Sequence, residues 1–142
     1  MGRNLTTFVY NRSMEKKKSN CIGYAYHELG ITSTEEPKYL PDLNDVLRSF
    51  DRVETINDAD VMAVGFLSSI GNDLIVIHMA VVGDDKRSVN HRKWEGEPVT
   101  CDGVENIMAE YKSTFGSENV SFIFLKRKKL QTQFAFTKVS ER

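Results

Sequence analysis

The chain is short of the residues that staple or stiffen a fold: its 142 residues include two cysteines, three prolines and one tryptophan. So few cysteines exclude the disulfide framework of small secreted domains, and Cys21 and Cys101, in different local contexts, read as two free thiols. Excess charge is also absent. Nineteen basic against twenty acidic residues leave a formal net charge of −1, so no global field draws the chain to nucleic acid or to an anionic membrane surface. Long apolar runs are missing too. Segments such as Leu74 to Ile77 are far too short to span a bilayer, and the first thirty residues hold no apolar stretch like that of an export signal. The expectation is a cytoplasmic protein with neither membrane nor nucleic acid as partner. No repeat, low-complexity tract or Pro/Gly/Ser linker divides the chain, so residues 1–142 read as one domain.

What is present is an ordinary globular composition, 40% hydrophobic and 27% charged, in a chain long enough to bury one sizeable core. A helix is expected from Cys21 to Gly30, because Ser19 or Asn20 can cap its first N–H groups and Gly30 suits the left-handed position after its last turn. A second is expected from Asp42 to Phe50, with Leu43, Val46, Leu47 and Phe50 on one face. Val- and Ile-rich segments at Asp60–Leu67 and Asp73–Val82 read as strands joined by a hairpin at Ser69–Asn72. The turn at Gly83–Lys86 then leads into a third strand over Arg87–Trp94. A helix over Val104–Phe115 stopped by Gly116, a strand at Val120–Leu125 and a further strand at Gln131–Val139 complete the pattern. Helices first and a consecutive antiparallel meander afterwards define an α+β fold.

Three positions stand out chemically. At the start of a helix, the unpaired N–H groups and the macrodipole favour a thiolate at Cys21, and the same N–H groups can hold an oxyanion. The bland reading of Cys21 is a small buried hydrophobe. His78 is a lone imidazole inside the apolar run Leu74 to Val82, where burial requires a hydrogen-bond partner, either the backbone or a catalytic group. On the returning strand, Asn90 and His91 point to opposite faces. One of them can accept from the His78 ring and fix its tautomer, and the turn register decides which. Cys101-Asp102-Gly103 reads as a turn and helix cap without a role, and Lys126 to Lys129 as a solvated strand end.

The segments Asn20-Cys21-Ile22-Gly23-Tyr24-Ala25-Tyr26, Leu29-Gly30-Ile31, Asp60-Val61-Met62-Ala63-Val64, His78-Met79-Ala80-Val81-Val82-Gly83 and His91 together resemble the NlpC family of papain-like cysteine peptidases. The order and spacing match across roughly Asn20 to Trp94. The resemblance implies a papain-like fold with N-terminal helices packed on a central antiparallel sheet. It makes Cys21 the nucleophile, His78 the general base and acid, and His91 the orienting third member, with Tyr10 near a position where the family often carries a site-facing Tyr. The family usually has Asp and Ser around its nucleophile. Asn20 and Ile22 stand there instead, so the pocket-shaping residues differ and the usual cell-wall substrate is not implied. The expected activity is that of a thiol peptidase or amidase acting on a peptide or a small amide-containing substrate through an acyl-enzyme, with the backbone N–H of Cys21 helping to hold the oxyanion. No cofactor is expected, and no metal, since Cys21, His78 and His91 lack local ligand spacing. The competing expectation is a catalytically silent papain-like domain that binds a peptide or protein partner.

Overall fold

The structure is a computed structural model and describes residues 18–67, 74–93 and 96–129. Its first element, β1 (Lys18–Ser19), leads directly into helix α1 (Asn20–Glu28). Ser19 is extended there and its Oγ accepts the Cys21 N–H at 3.3 Å, as expected of a Ser N-cap. At the other end, Gly30 takes the left-handed conformation (φ +75°), and the N–H groups of Gly30 and Ile31 close onto the carbonyls of His27 and Tyr26 at 2.9 Å each. The chain then returns to β1 through β2 (Lys38–Tyr39).

The expected helix over Asp42–Phe50 shrinks to the single turn α2 (Leu43–Val46). Asp42 caps it through the Asp45 N–H at 2.8 Å, but the following N–H groups of Arg48 and Ser49 reach back only three residues, to Asp45 and Val46. Phe50 instead opens strand β3 (Phe50–Val53), where it pairs with Arg127 and lies edge-on to the Tyr26 ring at 5.6 Å. Its burial therefore comes from the sheet rather than from a helix face.

A short 3₁₀ turn at Ile56–Asp58 precedes β4 (Val61–Leu67), β5 (Leu74–Val82), β6 (Ser88–Arg92) and β7 (Val99–Gly103), which pair consecutively as a meander. Residues Cys101 to Gly103 are thus the end of a strand, where a turn had been expected, and Gly103 alone caps helix α3 (Val104–Phe115). That helix carries the chain back across the sheet, so β8 (Val120–Arg127) adds to the far side of β4 and β3 to the far side of β8. The resulting sheet, β3-β8-β4-β5-β6-β7, has antiparallel pairing throughout, and the fold is α+β. The expected hairpin at Ser69–Asn72, the strand at Gln131–Val139 and Trp94 lie outside the described residues.

Strand alternation divides the core. Ala63, Met79, Ile123 and Leu125 cluster with Cys21, Ile22 and Ala25 of α1, whereas Met62, Ala80 and Val89 cluster with Val104 and Ile107 of α3. The helices therefore cover opposite faces: α1 lies on one, and α3, the helix expected over Val104–Phe115, on the other. Among the described residues no helix is long and apolar enough to cross a membrane.

Candidate active site

Cys21 lies in the first turn of α1, only 1% exposed, with its sulfur 2.7 Å from Ser19 Oγ and 3.9 Å from the carbonyl oxygen of Ile77. Ile77 and Met79 flank His78 in β5, so the thiol docks on the strand backbone at the residue expected to be its base. Two local features expose that backbone. The β5–β6 ladder covers Val81 with Asn90 and Val82 with Val89, which leaves the edge near Ile77 unpaired by β6. On the other edge Val64 pairs with His78 but Gly65 with Val76, so Ile77 is the extra residue of a β-bulge. Bulges re-aim side chains and occur often beside active sites.

His78, by alternation with Ala80, is rooted on the α3 face of the sheet, where its ring lies 5.3 Å from that of Tyr111. Its Nε2 is 2.7 Å from Nδ1 of His91, and Nε2 of His91 is 2.7 Å from Oδ2 of Asp102. The register left open by sequence is therefore resolved in favour of His91. Asn90 lies opposite Val81 and Cys101, and alternation points its side chain away from the relay. Asp102, which sequence reasoning gave no role, is brought in by β7: it pairs with Val89, two residues from His91 on the same face. Thr100 Oγ1 at 3.3 Å and Lys93 Nζ at 4.0 Å also approach its Oδ2. A carboxylate eleven residues after His91, near a glycine that ends a polar strand, was the available signal.

The electrostatics differ from those expected of a helix-start thiol. Burial raises the Cys21 pKa above its ordinary value, more than the hydrogen bonds from Ser19 and the local backbone lower it. Burial also pushes His78 down to about 3, with the nearby His91 and Lys93 charges adding to the effect. Asp102 is held below the usual carboxylate range, chiefly by its hydrogen bond to His91. At neutral pH the resting pair is thus a neutral thiol and a neutral imidazole, and among the described residues no hydrogen bond joins them directly. The Cys21 N–H, expected to help hold an oxyanion, is engaged by Ser19 Oγ.

Of the remaining candidates, Ile22 is a core residue, 1% exposed, packed with the α1-face cluster. Asn20 reaches Glu35 Oε2 at 3.5 Å, and Glu35 in turn pairs with Arg92, whose guanidinium lies 5.8 Å from the centre of the Tyr24 ring. Tyr10 lies outside the described residues. Cys21 and Cys101 are both free thiols, one buried and one exposed. Among the described residues no group of three or more His, Cys, Asp or Glu side chains is arranged to hold a metal ion. No protein-family model, curated protein or solved structure matches the chain.

Proposed function

We propose that the protein is a thiol hydrolase, a peptidase or amidase on a papain-like scaffold of the NlpC type, working on a peptide or small amide in the cytoplasm, where unpaired cysteines such as Cys21 and Cys101 persist as thiols. The observation that carries the reading is the relay Asp102–His91–His78, two hydrogen bonds of 2.7 Å on a strand whose backbone also receives the Cys21 sulfur. Satisfying one buried imidazole needs a single partner, whereas a carboxylate-backed pair of imidazoles, set across the β5 backbone from a thiol, is the kind of relay that general-base catalysis uses.

Because both groups rest neutral, the thiol becomes a nucleophile only as its proton leaves. Substrate displaces Cys21 from the Ile77 carbonyl and brings the sulfur past the edge of β5 that β6 leaves open, so that His78 takes the thiol proton as sulfur bonds to the substrate carbonyl carbon. The tetrahedral adduct collapses with cleavage of the C–N bond, and His78 returns its proton to the departing amine. Water, deprotonated by the same imidazole, then releases the acid and restores the thiol.

A second reading, a catalytically silent domain that binds a peptide or protein, draws on the closed packing of Cys21 and the lack of a direct bond to His78. Intact-mass measurement after incubation with a panel of peptidyl activated esters separates the two. Hydrolase activity predicts an acyl adduct on Cys21 that is lost in Cys21→Ala and forms about 10²-fold more slowly in His78→Ala. Absence of an adduct from every ester, with alkylation of Cys21 by iodoacetamide unaffected by His78→Ala, would leave the silent domain as the correct reading.

A further inference from the structure

We propose that Asp102 is a positioning residue that fixes the order of protons along His91 and His78 and so leaves Nδ1 of His78 bare, the form that a base for the thiol proton needs. The role of that proton rests on the hydrolase reading; the order of protons does not. An ionised carboxylate only accepts hydrogen bonds, and a neutral imidazole carries one N–H and one lone pair. The contact of 2.7 Å between His91 Nε2 and Asp102 Oδ2 therefore places the His91 proton on Nε2, since a bare nitrogen there would set lone pair against lone pair. In the neutral form of His91 the Nδ1 is then an acceptor, and its 2.7 Å contact with His78 requires the His78 proton to sit on Nε2, whereas a second proton on His91 would reverse that bond. The Nδ1 of His78 remains bare.

The surroundings favour this order. Asp102 keeps its charge because its pKa is depressed, and the Thr100 hydroxyl, which donates to its Oδ2, and the Lys93 ammonium near it add to that. His78 stays neutral because its ring is buried between His91 and Tyr111. The opposite order, with His91 protonated on Nδ1, would drive the His78 proton onto Nδ1 and block the base. Asp102 is thus the one group in the relay whose acceptor-only chemistry breaks the symmetry between the two orders.

Long-range ¹H–¹⁵N correlation spectra of the histidine rings at neutral pH test this without reference to activity. In the native chain, Nε2 of both His78 and His91 is expected to show the shift of a protonated ring nitrogen and Nδ1 of both the shift of a bare one. Asp102→Ala is expected to move these signals toward a mixture of tautomers, and Asp102→Asn, whose amide oxygen can still accept, to restore the native pattern. Cys21 acylation should fall by on the order of 10- to 100-fold in Asp102→Ala, within the ~10²–10⁴ that a general base contributes. A proton on Nδ1 of His78 in the native chain, or ring signals unchanged in Asp102→Ala, would overturn the proposal. If the tautomers behave as expected and no ester acylates Cys21, the hydrolase reading fails and the assignment of Asp102 stands.

Discussion

Ser19 meets Cys21 twice, through the backbone N–H at 3.3 Å and the sulfur at 2.7 Å, and the two contacts have different consequences. The first caps α1. In the second, the thiol proton has the Ile77 carbonyl as its acceptor, so the Ser19 hydroxyl is free to donate to sulfur, in keeping with the lowering effect of Ser19 on the thiol pKa. Ser19→Ala removes both. We expect it to cost about 1 kcal/mol in a urea melt, the usual loss of a Ser cap, and to slow Cys21 alkylation at neutral pH by raising the thiol pKa further. Ser19→Thr keeps a hydroxyl at the same place and should restore both stability and rate. If Ser19→Ala lowers stability while alkylation keeps its native pH profile, the hydroxyl is a cap alone.

At the scale of elements, α1 owes its seat to a missing side chain. A Cβ on Gly23 would stand 1.9 Å from the backbone oxygen of Glu36, so the helix lies directly on the loop that returns to β2. Backbone cannot yield as a flexible side chain would. Gly23→Ala should therefore destabilise the protein by about 3 kcal/mol, at the upper end of overpacking costs, and show a matching fall in the urea midpoint; a loss below about 0.5 kcal/mol would mean that the loop moves freely. Gly23 was visible in the sequence beside Cys21, but its reason is a contact with Glu36, thirteen residues on. The same division runs through the fold. The apolar runs of β4 and β5 and the capped helices α1 and α3 could be read locally, because hydrophobic pattern and end signals agree there. The edge strands β3 and β7 carry mostly exposed, polar residues, so only their pairing with β8 and β6 makes them strands. Asp102 was missed with β7, and the bulge at Ile77 leaves no local mark at all.

For the whole molecule, the buried relay links the fold to pH. The unfolded chain protonates His78 near its ordinary value of 6.5, whereas the folded chain refuses the proton until about pH 3. Between those limits the unfolded state binds more protons, so stability rises with pH; it is full above about pH 6.5 and falls by up to ~1.4 kcal/mol for each unit of acidification. Asp102 works in the same direction but in a different window. Its depressed pKa gives stability that is present above the unfolded value of 3.8 and lost only as the pH falls through the folded one. From pH 6.5 to 5 Asp102 thus adds little, and the buried His78 should make urea melts show a loss of about 2 kcal/mol. His78→Gln should have lower absolute stability and a flattened slope over this range, because its amide cannot take up the proton that penalises the native fold. An undiminished slope in His78→Gln would show that another group titrates, and that the imidazole at the centre of the candidate site is not held neutral by burial.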